Sequence, residues 1–170
     1  MFGIRGLPVI AVEGVDDVAF LNRSIELARE TMQRGRGGPF GAVVVRAGTI
    51  IGEGANCVLG NNDPTAHAEV QAIRDASARE RNFILAGSVI YASSEPCPMC
   101  LAAIFWARIE RIVYANERGV AAAVGFDDSF FYEQLALPEQ DRAVPVAHVK
   151  LAHAASLFDE WRDKADKTPY

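Results

Sequence analysis

The chain has 170 residues, half of them hydrophobic, with 17 Lys and Arg against 22 Asp and Glu and a net charge of −5. That length suits one domain with a sizeable core, and no apolar run is long enough to span a bilayer. The densest basic run, Arg34-Gly35-Arg36, is only two charges, which argues against a polynucleotide partner and its need for a basic stripe.

Residues 1–15 read as an N-terminal arm, in which Leu7-Pro8-Val9-Ile10-Ala11-Val12 is too short and broken for a secretory leader. Asp16 or Asp17 caps a first helix whose apolar positions Val18, Leu21, Ile25, Ala28 and Met32 step by 3 and 4. Gly35 is its stop. Residues 40–45 form a β-branched strand, Ala47-Gly48 a turn, and residues 49–52 the returning strand of a hairpin. A loop over 54–62 leads to a helix through His67, Val70, Ile73 and Ser77 that leaves Arg74, Asp75 and Arg79 to solvent. Then come a strand at 88–93, a cysteine loop, a helix at 101–107 and a strand at 111–115. Strand, loop, helix, strand is a crossover, so the last two strands are predicted to be parallel and the sheet mixed. The loops lie beyond strand C-terminal ends, where open α/β sheets place their sites. Further on, residues 125–132 cluster aromatics around Asp127 and Asp128. Residues 145–151 alternate as a short strand, and 155–164, with Leu157, Phe158 and Trp161, form an amphipathic closing helix. No linker or repeat divides residues 16–170, which read as a single domain.

Two stretches carry the chemistry: Pro64-Thr65-Ala66-His67-Ala68-Glu69-Val70 and Glu95-Pro96-Cys97-Pro98-Met99-Cys100. They supply one imidazole, two thiols three positions apart and one carboxylate. Three ligands plus a proton carrier distinguish a catalytic zinc site from a closed structural one. Cys97 and Cys100 are nearly one helical turn apart, so both sulfurs reach one side of a starting helix, and Pro98 is tolerated in its first turn. Inside a regular helix His67 and Glu69 would point roughly 200° apart. They converge only at a helix end, where Asp63 and Thr65 can cap and Pro64 suits the first position. Two helix N-termini are therefore expected to aim at one zinc, with Glu69 beside an open fourth position. Zinc brings a bound water's pKa towards neutrality, and Glu69 would carry its proton to a ring nitrogen and then to departing ammonia. A redox pair or half a zinc finger would also use C-x-x-C, but no second C-x-x-C or H-x₃₋₅-H completes a structural set. With two of three cysteines claimed by metal, the expected compartment is the reducing cytoplasm. Cys57 reads as a small buried residue, and His148 and His153 as surface or packing histidines.

The H-x-E and P-C-x-x-C stretches resemble the cytidine-deaminase superfamily of zinc-dependent deaminases. That resemblance implies an α/β fold of three α/β/α layers around a mixed sheet of roughly five strands. Residues 63–69 alone do not select a branch, because bacterial tRNA adenosine deaminases carry nearly the same string. Gly38-Pro39-Phe40-Gly41-Ala42-Val43, residues 95–101, Ile104-Phe105-Trp106-Ala107-Arg108 and residues 125–130 resemble the bacterial guanine deaminases. So does a C-terminal tyrosine after the Trp161-Arg162 helix, and the likeness spans roughly 17–170.

The resemblance implies His67, Cys97 and Cys100 as zinc ligands and Glu69 as proton shuttle. Asn56 would hydrogen-bond the purine, and Asp128 would recognise the amidine edge of guanine and pass protons to the leaving amine. Phe40, Ala68 and Trp106 would contact the ring. Family members form homodimers with exchanged C-terminal segments, here about 145–170, so Tyr170 would close the partner's site. Flat guanine suits Phe and Trp, its donor edge suits a carboxylate, and Asn56 offers both a donor and an acceptor. From the residues alone each has a plainer alternative: Asp127 or Asp128 as the cap of a turn, Asn56 as a loop residue, and Phe40 and Trp106 as core packing, which spacing favours for Trp106. Leu101-Ala102-Ala103 replaces the family's Leu-Gly-Ala, and the arm is longer than the family's. The expected activity is hydrolysis of guanine to xanthine and ammonia, with a small purine base as the only partner besides a second subunit, and no nucleic acid or membrane. Guanosine or ammeline as substrate, tRNA wobble-adenosine deamination, and a zinc-stabilised dimeric binding module without turnover are the alternatives.

Overall fold

In the computed structural model, which describes residues 16–169, the sheet grows from the expected hairpin. Strand β1 (Gly41–Arg46) turns through Ala47 and Gly48, at φ 48° and 75°, into β2 (Thr49–Ala55). Two left-handed residues give the turn whose twist matches the paired strands. β3 (Ser88–Ser94) lies antiparallel on the other side of β1, and β4 (Arg111–Asn116) runs parallel to β3, for the order β2-β1-β3-β4. The mixed sheet thus has four strands among the described residues, not five. Residues 145–151 form no strand, and all of them are exposed. Alternation needs a sheet edge to pair with, and their unit of the chain holds none among its described residues.

Helix α1 (Asp17–Gln33) covers one face, with Phe20, Leu21 and Leu27 packed on Val43, Val45 and Tyr91. Asp16 is its cap, accepting the Ala19 N–H at 3.0 Å. The inward face differs in part from the predicted stripe: Ala28 is buried as expected, but Val18 and Met32 are exposed, while Ser24 and Thr31 are buried. The reason is close approach at Gly41, where a Cβ would meet the Ser24 carbonyl oxygen at 2.1 Å. Only small residues fit so near the strand. Asp17 also takes both Arg111 guanidinium nitrogens, at 3.2 and 2.6 Å, and the buried Tyr91 hydroxyl at 2.7 Å, which pins α1 to β3 and β4.

The other face carries α3 (Ala68–Glu80) and α4 (Pro98–Trp106), reached through a short α2 (Val58–Asn61) that the sequence did not signal. Ala68, Ala72, Ala76 and Ile104 pack on Ala42, Val44, Ile90 and Ala92, completing three layers. α3 sits almost on the β2 backbone. A Cβ at Gly52 would meet the Ala76 nitrogen at 2.5 Å, and one at Gly54 the Ala68 carbonyl oxygen at 2.2 Å. β2 therefore runs three residues past its expected end despite poor strand formers, because α3 packs on it. Asp75 is not left to solvent: it accepts the Glu53 N–H at 2.9 Å.

The described chain divides into two compact units, 16–117 and 118–169. The second contains α5 (Arg118–Ala122), α6 (Ser129–Ala136), a 3-10 turn at Glu139–Asp141 and α7 (Ser156–Asp163). α7 is the predicted closing helix. Within this unit the Arg118 guanidinium lies 4.8 Å over the Tyr132 ring, and none of residues 118–169 is buried. The predicted arm, 1–15, and Tyr170 lie outside the described residues.

Candidate active site

His67 and Cys97 hold the same position in their helices. Each is the residue before the first turn, with extended backbone at φ −70°, ψ 155° and φ −67°, ψ 168°, so its side chain projects beyond the helix start. Pro98 opens α4 and puts Cys100 within its first turn. The predicted convergence of two helix N-termini is therefore present, with one local difference. Asp63 does not cap α3; it closes the preceding turn by accepting the Thr65 N–H at 2.8 Å and hydroxyl at 2.7 Å, and Pro64 belongs to that turn. An Asx turn competes with capping for the same carboxylate.

His67 Nδ1 lies 3.6 Å from Cys97 Sγ and 3.5 Å from Cys100 Sγ. The three donor atoms all lie within 4.8 Å of one another, and the three residues make a group fit to hold one metal ion. With Zn–S near 2.3 Å and Zn–N near 2.0–2.1 Å, a tetrahedron sets nitrogen and sulfur about 3.6 Å apart. The donor set and its spacing fit zinc.

Glu69 is buried, two residues into the space between the helices, with Oε2 3.3 Å from Cys100 Sγ. Burial pushes its carboxyl above the usual carboxylate range. The Cys97 thiol is pushed down to about 4, first by its hydrogen bond with Cys100 and then, against burial, by His67. Cys100 goes up, first through that same bond and then through burial. His67 is raised chiefly by the hydrogen bond with Cys97. A second thiolate here is unfavourable beside the first and beside Glu69; a divalent cation at the centre of the triangle reverses that sign.

Asn56 stands at the end of β2. Its N–H donates to the Phe40 carbonyl at 2.9 Å, and the next residue, Cys57, donates to the carbonyl of Ala66, just before His67, at 2.9 Å. Phe40 is partly buried against the core of the α3 face. Ala68 is buried between His67 and Glu69. Trp106, at the end of α4, is 57% exposed with Arg108 6.0 Å from its ring centre, so it is not core packing. In the second unit Asp127 takes the turn role, accepting the Ser129 N–H at 2.9 Å, and the Asp128 side chain makes no capping bond to α6. Cys57 is only half-buried, while His148 and His153 are exposed as expected. Sequence reasoning missed Thr31, Gly38 and Asn116. Asn116 brackets the cysteine loop, accepting the Glu95 N–H and donating to the Ser93 carbonyl, both at 2.8 Å. No spacing rule marks such residues, because each acts through a hydrogen bond to a residue distant in sequence.

Residues 15–116 match the family model described as the cytidine and deoxycytidylate deaminase zinc-binding region. The chain belongs to this family of zinc-binding deaminases. It is 49% identical to the guanine deaminase of Bacillus subtilis over 89% of this chain and 97% of that protein. A crystal structure of guanine deaminase from that organism superposes with a TM-score of 0.88 at 48% identity, covering 90% of this chain and 98% of the other. The guanine deaminase structure from Nitrosomonas europaea gives 0.64 at 30% identity, covering 72% and 75%. More distantly, the tRNA-specific adenosine deaminase of Aquifex aeolicus is 38% identical over 85% of this chain and 93% of that protein.

Proposed function

We propose that the chain is a zinc-dependent hydrolase that converts guanine and water to xanthine and ammonia. Support comes above all from the 3.5–3.6 Å donor triangle with buried Glu69 beside it, in a chain 49% identical to a guanine deaminase. His67, Cys97 and Cys100 hold the metal. Bound there, zinc supplies a Lewis acid that brings a coordinated water's pKa towards neutrality. Glu69 takes one proton from the attacking water and delivers it to a ring nitrogen; as the new C2–OH becomes a carbonyl, its proton goes by way of Glu69 and Asp128 to the leaving amine. A C2–O bond forms, the C2–N bond breaks, and ammonia departs. Burial raises the Glu69 carboxyl and so favours its holding the proton that it takes up and returns. Asp128 accepts from the N1–H and 2-amino edge and passes protons to the leaving amine. Asn56 bonds the opposite edge, and Phe40, Ala68 and Trp106 contact the ring.

The working unit in this proposal is a homodimer that exchanges residues of about 145–170, with Tyr170 closing the partner's site. Support is the apolar stripe of α7, where Leu157, Phe158 and Trp161 are 66%, 77% and 44% exposed. A segment with no buried residue of its own needs another surface. The cytoplasm suits its three free thiols, Cys57, Cys97 and Cys100. Among the described residues no helix is long and apolar enough to cross a membrane. The likeness to tRNA-specific adenosine deaminases favours a second reading, wobble-adenosine deamination, against which the net charge of −5 weighs.

The test is ammonia release by zinc-loaded protein from guanine, guanosine, ammeline, adenine, cytosine, cytidine and a tRNA anticodon arm. Guanine is expected to be fastest, and Glu69→Gln to lose about 10²–10⁴-fold while keeping zinc. Fully metallated protein that releases no ammonia from guanine overturns the proposal. Turnover that survives Glu69→Gln removes Glu69 from its role.

A further inference from the structure

Asn56 is held at every acceptor it has. The Thr31 hydroxyl, itself buried, donates to the Asn56 backbone carbonyl at 2.6 Å. The side-chain Oδ1 accepts two backbone N–H groups, Gly38 at 3.2 Å and Val58 at 3.3 Å. An amide oxygen has two lone pairs, and both are taken. The two partners are backbone donors, so they also decide which end of the carboxamide is oxygen, a choice that flipping cannot reverse without facing N–H to N–H. The amide nitrogen has no acceptor among the described residues. Sequence chemistry credits Asn56 with both a donor and an acceptor for a ligand; the fold leaves only the donor.

Gly37 is part of the same device. A Cβ there would lie 2.1 Å from Asn56 Oδ1 and 2.5 Å from its backbone oxygen. Any side chain at 37 displaces the carboxamide. On the purine-deaminase reading above, we propose that Thr31 and the bare Gly37 are positioning residues that lock Asn56 as a donor-only contact, by which the site selects rings with an acceptor on the O6–N7 edge. A 6-amino ring offers N7 but turns a second donor towards Asn56, and loses. The lock stands apart from the metal: it acts through the β2 end and the turn before β1, not through His67 or the thiols.

The experiment measures equilibrium binding of three rings to zinc-loaded protein: hypoxanthine, 7-deazahypoxanthine and 6-mercaptopurine. Each of the latter two weakens one acceptor of the edge, and none of the three has a 2-amino group to lose. Wild type is expected to bind at least one of the two about tenfold more weakly than hypoxanthine, the scale of one unmet buried donor. Thr31→Val is expected to shrink that discrimination to within about threefold, Thr31→Ser to restore it, and zinc content to stay constant throughout. Gly37→Ala repeats the Thr31→Val result by displacing the amide directly. Ratios within one variant do not depend on how much of it folds. Wild type that shows no discrimination, or discrimination unchanged in both Thr31→Val and Gly37→Ala, overturns the proposal. Guanine turnover measured alongside tests the deaminase reading by itself. Absent turnover with the binding pattern intact sinks only that reading, whereas turnover with the pattern absent sinks only this one.

Discussion

Replacing Gly54 with Ala puts a methyl group where α3 begins. An ideal Cβ at 54 lies 2.2 Å from the Ala68 carbonyl oxygen and 2.3 Å from the Ala72 nitrogen, where ordinary contact starts at 3.4 Å. Both obstacles are helix backbone, so nothing can rotate aside, and the first turn of α3 must retreat by about 1 Å. Overpacking of this kind costs about 1–3 kcal/mol, and each kcal/mol lowers Tm by about 2–4 °C in a chain of this size. Ala68 lies between His67 and Glu69, so the retreat moves the proposed metal ligand and the proposed proton carrier together. A 1 Å misplacement of reacting groups costs about 10²-fold in rate. The assay is zinc per chain, thermal unfolding and guanine turnover for Gly54→Ala, with Gly119→Ala as control because a Cβ there meets nothing within 4 Å. Expected are a lower Tm, reduced zinc retention against a chelator and a rate loss of about 10²-fold for Gly54→Ala. The control should behave as wild type. Gly54→Ala with full zinc, an unchanged melting curve and a rate within threefold would refute the claim that a side-chain-free β2 sets the site.

Asp128→Ala is expected to lower guanine kcat/KM by about 10–100-fold, the scale of a lost charge-assisted hydrogen bond, while zinc content holds; equal loss of both would show that Asp128 supports the fold instead of the substrate. Asp17→Asn tests the α1 anchor: the Arg111 hydrogen bond, and then that of Tyr91, hold the Asp17 carboxyl below its usual range. A depressed folded pKa means stability present above the unfolded value, near 4, and lost as pH falls through the folded one. Because the pair is about one-third exposed, the loss at pH 7 should be only about 1 kcal/mol, and the variant's denaturant midpoint should fall less steeply than wild type's below about pH 4. Parallel acid limbs would reject the anchor.

The zinc donors were legible because their constraint is local. A histidine two residues from a glutamate and two cysteines three apart can serve one centre only at helix starts, and helix starts have sequence signals. The Ala47-Gly48 turn and the parallel β3–β4 pair were legible for similar reasons of chain geometry. What failed to read was long-range. The α1 stripe is turned towards Ser24 and Thr31 because Gly41 admits only small neighbours, and periodicity counts apolar residues, not approach distances. Residues 53–55 read as loop by propensity and are strand by the packing of α3. Residues 145–151 had the strand pattern and no edge to pair with. Asp127 and Asp128 were equivalent as caps until the Ser129 N–H selected Asp127.

α3 is placed by backbone lying on Gly52 and Gly54, and the loop before α4 by Asn116 through the Glu95 N–H and the Ser93 carbonyl. The donor spacing is therefore a property of the sheet, transmitted through main chain to two residues with nearly the same extended φ and ψ. Substitutions on the outer faces of α3 and α4 should leave that spacing alone, since those faces bear none of its supports. The same placement explains how residues two apart serve one centre. His67 lies outside the helix and reaches over its end, while Glu69, inside the first turn, comes at the same space from below. A longer leader before α3, or a cap that drew His67 into the helix, would turn one of them away by roughly 200°.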